Sequence, residues 1–479
     1  MMNNTVLLAF STANVLSDTV YYLLCGLLAV AVLLGIHLMS KVEKAQYGNK
    51  ISALAIALGI IITLVEKDIL PVWVVYPAMA GGMAIGLILA RRVRMIEMPQ
   101  LVALLNGVGG AASAIVASFA FAELYQGEDL FGRSTAALAV VVGTITFFGS
   151  LVAAGKLHKL LPQKPVVLPL HQTISLFTLL VLLVLVAWGG FFTVTAAAGL
   201  LAAMIVFSTL FGIVFSVRVG GADMPITISL LNSLSGVAAA IAGFAVNDVL
   251  LVSVGGIVGA SGLFLTQIMC RAMNRNLLDI LLGKTTLLEK KAEAAEEPEA
   301  VPEVEEKESV DPVTIIQSAR KVIIVPGYGM ALAQAQHLVK KLAAWLAGNG
   351  ASVKYAIHPV AGRMPGHMDV LLIEAGVPFE DVYEMDDINE EFQEAELTIV
   401  VGANDVLNPA ARNAQGTPIY GMPILNVDHC KNVVFFNYDL QPGYSGVENP
   451  IYKRKEGVWI IQGDASVTLA DVLSQLSKN

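Results

Sequence analysis

LEKKAEAAEEPEAVPEVEEKESVDPVTIIQSARKVIIVPGYGM, Leu288 to Met330, is the seam on which the fold turns. Its first part, Glu289 to Asp311, is acidic and rich in Ala and Pro. Such a run cannot bury a core and reads as an extended or partly helical tether. Its last part is a continuous apolar strand, Lys321–Val325, running into a glycine turn. Upstream, up to about Cys270, the chain is almost continuously apolar; downstream, strand and helix patterns alternate. The expected organisation is a transmembrane domain over 1–275, an acidic linker over 276–312, and an α/β doubly wound, Rossmann-like domain over 313–479.

Composition supports the division. A mean hydropathy of +0.68 with 14% charged residues lies outside the range of ordinary soluble enzymes. The net charge of −9 gathers in the linker and C-terminal part, which argues against nucleic acid as a partner. Cys25, Cys270 and Cys430 stand far apart and show no metal or redox spacing. The N-terminus lacks a signal peptide's basic region and cleavage site, so the first span is expected to be retained.

A bilayer crossing needs roughly 20 apolar residues. Spans are expected near 16–40, 51–67, 71–90, 98–122, 132–156, 172–192, 194–217, 224–246 and 248–270, about nine in all. Alternate loops carry Lys41, Lys44 and Lys50; Arg91, Arg92 and Arg94; Lys156, Lys159 and Lys164; Arg218; and Arg271, Arg275 and Lys284. The opposite loops hold only Lys67 and Arg133. Cationic loops stay cytoplasmic, so the N-terminus is expected outside and the C-terminal domain inside. An odd span count fits.

An internal repeat lies within this half. MPQLVALLNGVGGAASAI from Met98 and MPITISLLNSLSGVAAAI from Met224 share half of their aligned positions, including Asn106 with Asn232 and Gly110 with Gly236. Each Asn falls about 12 Å along its helix from the cytoplasmic end. Such amides either bond between helices or line a polar path. Asp223, just before Pro225, reads as a helix N-cap at the face where the soluble domain must dock. His37, near the inner end of the first span, could titrate near neutral pH. Gly255, Gly256, Gly259 and Gly262 read as close helix packing.

In the soluble half, KVIIV, SVKYAIHPV, LTIVVGAND, NVVFFNYD and GVWIIQGD are the strand candidates, and SVTLADVLSQL is a closing helix. Gly327-Tyr328-Gly329 follows a strand, and one long amphipathic helix is expected after it, with phosphate at its N-terminus. The third glycine of the dinucleotide fingerprint is Leu332 here, and the second strand ends in His358-Pro359 rather than in the acidic residue that usually holds an NAD ribose.

PGYGMALAQAQ, IHPVAGRMPGHMDVLLIEAGVP, VVGANDVLNPAA and PGYSGVENP, with MPQLVALL and ADMPITISLLNSLSG in the membrane half, strongly resemble the beta subunit of proton-translocating NAD(P) transhydrogenase over essentially the whole chain. The resemblance implies nine membrane helices and an NADP(H)-binding domain in this chain. It implies an alpha subunit that binds NAD(H), a dimer of alpha–beta units in the bacterial cytoplasmic (inner) membrane, and an Si-specific/Re-specific enzyme. Hydride would pass directly between the two nicotinamides as protons flow inward, so no catalytic side chain and no metal is expected.

By the same resemblance, cofactor contacts are expected from Gly327, Tyr328 and Gly329, and from Val360, Ala361, Gly362, Arg363, Met364 and Pro365. Further contacts are expected from Gly402, Ala403, Asn404, Asp405 and Val406, with Asp405 as a titrating group, and from Gly421 and Met422. Asn437, Tyr438, Asp439, Gly443, Tyr444, Asp464 and Ala465 complete the pocket. Asn232 matches the family's proton-path asparagine, and Asp223 an acidic residue at the domain interface.

Two departures stand out. Asn106 occupies the place of a membrane histidine in several family members, so the protonatable relay is expected to be water, His37 or a residue of the partner. Asn437-Tyr438-Asp439 replaces a Lys-Arg-Ser grip on the 2′-phosphate. Asp439 would repel a phosphate and accept a ribose hydroxyl, unless Lys453, Arg454 and Lys455 downstream compensate. The alternative from another class is a channel or transporter regulated by a nucleotide-sensing domain, which would bind cofactor without turning it over. A self-sufficient membrane dehydrogenase would need a second redox site, and no haem, flavin or iron–sulfur motif is present in the sequence.

Overall fold

The computed structural model describes residues 16–39, 42–67, 69–94, 97–124, 129–162, 165–191, 197–221, 223–277, 280, 311–364, 366–415, 417, 419–443 and 445–477. Pro365, Tyr444, Lys41, Lys164, Lys284 and the tether over 281–310 lie outside the described residues.

The membrane half holds the long helices α1 (Asp18–Met39), α2 (Val42–Glu66), α3 (Val75–Arg92), α4 (Met98–Leu124), α5 (Leu130–Leu157), α6 (His171–Phe191), α7 (Ala197–Arg218), α8 (Met224–Ala245) and α9 (Val249–Ala272). Among the described residues, eight are long and apolar enough to cross a membrane. The remaining one, α3, is 18 residues long, ends on Arg91 and Arg92, and falls short of that measure. No residue of α3 is buried. The second helix begins at Val42, well before the expected 51. Its polar first turns have no helix breaker, and Gly48 is a contact point: a Cβ there would lie 2.5 Å from Gly35 O on α1.

The central helix is α5, which packs on α4, α6, α7 and α8. Lipid tails are as apolar as Leu, so close backbone approach must hold the bundle together. Gly110 on α4 meets Gly143 on α5, and Gly236 on α8 meets Gly259 on α9, where a Cβ at Gly236 would lie 2.4 Å from Gly259 N. The close packing expected of the α9 glycines holds at Gly255, Gly259 and Gly262, whereas a Cβ on Gly256 would meet nothing within 4 Å. Asp129 and Asp248 cap α5 and α9 by accepting from the amides of Gly132 and Leu251, both at 2.9 Å.

The soluble domain is a six-stranded sheet in the order β3-β2-β1-β4-β5-β6, parallel throughout. Its strands are β1 (Lys321–Pro326), β2 (Ser352–Ile357), β3 (Val382–Glu384), β4 (Leu397–Val401), β5 (Val433–Asn437) and β6 (Val458–Gln462). Alternation places Val322 and Ile324 of β1 in one apolar layer, and Ile323 and Val325 in the other. A sheet buried on both faces explains the continuous apolar runs seen in the sequence. The helices Pro312–Ser318, Gln336–Gly348 and Ala465–Leu476 contribute to the first layer.

The single long helix expected after β1 is broken. Tyr328–Leu332 forms one short helix and Gln336–Gly348 a second. Between them Gln334 adopts φ 51°, and Ala335 N–H closes on Met330 O at 3.0 Å. The break keeps Met330, Ala331 and Ala335 all buried while the second helix is re-aimed across the sheet.

Candidate functional site

The first and fourth strands are neighbours whose chains leave the sheet in opposite directions, to β2 and to β5, so a crevice opens at their C-terminal ends. A cleft of about 420 Å³ lies there. Its floor is two interlocked glycine turns. Gly327 N–H donates to Val401 O and Gly329 N–H to Gly402 O, both at 2.8 Å. A Cβ on Gly329 would lie 2.6 Å from Gly402 Cα, and Gly402 itself adopts φ +67°. The amides of Gly327 and Gly329 are therefore engaged by Val401 at the end of β4 and by Gly402 just after it. The glycines let the two turns approach and leave the volume above them open.

One wall is the loop after β5. Asn437 is buried and structural: its Oδ1 accepts Gly402 N–H, and its Nδ2 donates to Ala403 O and to the Tyr452 hydroxyl. Asp405 accepts from Ser445 N–H at 3.0 Å and from Ser445 Oγ at 2.8 Å, which latches this loop over the cleft. Asn404 Nδ2 adds a bond to Gln441 O. The opposite wall is the loop after β2. There His358 Nε2 lies 2.8 Å from Pro423 O, and its Nδ1 accepts Val360 N–H. His367 Nδ1 accepts Arg363 N–H. Burial pushes both imidazoles down to about 4, with the Arg363 charge adding to the effect at His367.

The expected residues divide between the cleft and other tasks. Gly327, Tyr328, Gly329, Val360–Gly362, Gly402–Val406, Met422, Asn437, Tyr438, Asp439 and Gly443 line the cleft. Arg363 does not. Its guanidinium sits 4.4 Å from the Tyr328 ring centroid and donates through Nη1 to Leu157 O at the end of α5. Met364 is half-buried beside it, outside the lining. Gly421 is an interface position, since a Cβ there would strike Asn274 Nδ2, which donates to Tyr420 O. Asp464 caps the last helix through Ser466 N–H, and Ala465 belongs to the core. The downstream cations do not reach the cleft. Lys453 pairs with Glu448, Arg454 donates to the carbonyls of Cys430 and Lys431, and neither they nor Lys455 line it.

Sequence reasoning missed a third wall. Gly221, Met273 and Arg275, from the ends of the membrane helices, line the same cleft. Comparison with known proteins gives this arrangement a name. The family described as NAD(P) transhydrogenase beta subunit matches residues 20–475. Two relatives from Rhodospirillum rubrum, each called NAD(P) transhydrogenase subunit beta, are 38% identical over 468 residues, covering 95% of this chain and 98% of theirs. The chain belongs to the NAD(P) transhydrogenase beta subunit family. Such a subunit couples hydride transfer to proton translocation, works with NAD(P)(H), and is membrane-embedded beside an alpha subunit.

Several charged and amide groups lie at the join between the two halves of this beta subunit and inside its membrane half. Asp223 occupies the N-cap position of α8 but makes no side-chain cap bond. It is 2% exposed and lies 3.5 Å from Arg275 Nε. The buried carboxylate is offset by the half-buried guanidinium beside it. Lys156, expected in a cytoplasmic loop, is buried in the last turn of α5, where Nζ donates to Val217 O in the last turn of α7 and to Val219 O just beyond it. Asn106 is buried and donates to Ile228 O at 3.4 Å, which brings it within one turn of half-buried Asn232 on α8. His37 is exposed on α1, whose main neighbours are α2 and α9, apart from that pair. A hydroxyl set missed in the sequence joins α8 to α9: Thr266 Oγ1 donates to Ser229 Oγ and Ser233 Oγ to Gly259 O. Its trace is the Ser229-x-x-x-Ser233 spacing.

Proposed function

We propose that the cleft over β1 and β4 holds one pyridine dinucleotide, and that an alpha subunit presents the second nicotinamide to it while protons cross the membrane half. One observation carries this reading: residues from strand ends and residues from membrane-helix ends line the same cleft. The fit is local. Interlocked glycines keep the floor thin, Gly443 approaches so closely that a Cβ would meet the Asp405 carboxylate, and Tyr328 offers a ring to the interior. When bound, a nicotinamide ring supplies or accepts the hydride, and no side-chain acid or base is required. The chain's contribution is to hold the ring, exclude water and set the approach. The Asp405–Ser445 latch closes the cleft, and its opening is the natural point of release.

Coupling needs two states with different cofactor affinity. Protonation near Asn232 would alter how Asp223 meets Arg275, and Arg275 lines the cleft. The loop charges support nine spans, α3 included, with the N-terminus outside and the soluble domain cytoplasmic, and the family resemblance suggests a bacterial inner membrane. The resemblance adds a dimer of alpha–beta units and assigns NADP(H) to this chain and NAD(H) to its partner. The charge of the cleft does not match that assignment.

The test uses the complex with its alpha subunit in sealed vesicles. Hydride transfer between the two nicotinamide pools should accelerate or slow when a pH gradient is imposed. The Asn232→Leu variant should lose pumping and reverse transfer together. A transfer rate indifferent to the gradient rejects coupling. Binding without any transfer would instead favour a nucleotide-regulated transporter.

A further inference from the structure

The sheet is two similar halves, β1-β2-β3 and β4-β5-β6, joined at the β1/β4 pair. Rotating one half onto the other matches β4 to β1 and β5 to β2. The glycine turn after β1 then finds its counterpart in Gly402-Ala403-Asn404 after β4, and the two turns are hydrogen-bonded together on the cleft floor. In doubly wound sheets, a carboxylate after the middle strand of a half accepts the ribose hydroxyls of an adenosine. Directly after β2 the place is taken by His358, which is buried and bonded to Pro423 O. After β5 there is one. Asp439, two residues past the strand, is exposed and lines the cleft, with Oδ1 fixed by Gln441 N–H at 3.0 Å.

The charges around Asp439 point the same way. Among the described lining residues Arg275 is the one cation, and it is paired with Asp223 across the membrane-side wall. Arg454 is tied to the carbonyls of Cys430 and Lys431, next to the N-terminal end of β5 and a full strand length away. Lys453 is bonded to Glu448, away from the lining. A phosphate monoester carries nearly two negative charges at neutral pH. It would meet a carboxylate here with no unpaired cation among the described lining residues, whereas a free 2′-hydroxyl would donate to that carboxylate.

We propose that Asp439 is a specificity-determining residue that selects a pyridine dinucleotide with a free adenosine 2′-hydroxyl, NAD(H), and rejects its 2′-phosphorylated form. The inference rests on the reading of the cleft as a pyridine-nucleotide site and names which nucleotide enters it.

Equilibrium titration of the purified full-length chain with NADH and NADPH, followed by nicotinamide fluorescence, tests it without turnover. NADH should bind about tenfold or more tighter than NADPH. Asp439→Ser should shrink or invert that ratio, and Asp439→Glu should keep its sign. A wild-type chain that prefers NADPH, or an unchanged ratio in Asp439→Ser, overturns the proposal while leaving the cleft assignment intact. Binding of neither nucleotide overturns the cleft assignment itself and this proposal with it.

Discussion

His358 and His367 brace the loop between them by accepting backbone amides at Nδ1, a role open only to the neutral ring. Both have folded-state pKa values lowered to about 4, against an ordinary value near 6.5. Below about pH 6.5 the unfolded chain takes up protons that the folded chain refuses, so stability falls with pH. The stabilisation is complete above that point and is lost progressively as pH drops toward 4. Thermal unfolding of the chain at pH 7.5, 5.5 and 4.5 should show this fall, and His367→Asn should flatten part of it. An identical slope in the variant would show that His367 titrates normally. Neither role was legible in the sequence, where His358 figured only as the missing acid after β2. Its partner, Pro423 O, lies 65 positions downstream, and no local pattern encodes a bond of that range. The structural roles of Arg363, Asn437 and Gly421 were hidden for the same reason. Each is placed near the cleft by its loop, but Arg363 donates to Leu157 O, Asn437 accepts Gly402 N–H, and Gly421 leaves room for the Asn274 side-chain amide.

At the scale of elements, glycine contacts decide which helices touch. A Cβ on Gly236 would lie 2.4 Å from Gly259 N and 2.9 Å from Gly255 O, both rigid backbone atoms of α9. Gly236→Ala should therefore force α8 and α9 apart, costing about 1–3 kcal/mol. Gly256→Ala, in open space on the same α9, should be neutral or slightly stabilising. Thermal stability in detergent compares the two, and equal effects would mean that this packing is not close. The strands of the sheet were legible because burial on both faces demands unbroken apolar runs. The edge strand β3 was not, since three residues ending in Glu384 carry no period. The break at Gln334 was hidden as well, because the left-handed turn there is made without a glycine. The start of α2 was placed late because span length was judged by apolarity alone, and a helix can begin in polar residues.

Specific contacts join the two halves of the molecule. Arg363 reaches from the Tyr328 ring to Leu157 O, and Asn274 reaches from the end of α9 to Tyr420 O. Arg363→Ala removes the first contact without touching the core of either half. Electron–electron distance measurements between spin labels at Leu160 and Tyr420 should then broaden, while the unfolding midpoint of the soluble domain stays put. An unchanged distance distribution would show that docking does not depend on this side chain.

Adjacent residues at the end of α5 face opposite duties. Lys156 grips the bend that carries Asp223, and the Leu157 carbonyl is gripped by the arginine stacked on Tyr328. A tilt of that phenol is thus geared to the acid at the head of α8 through a single helical turn. The gearing has little slack, because the central helix cannot yield to one neighbour without dragging the other.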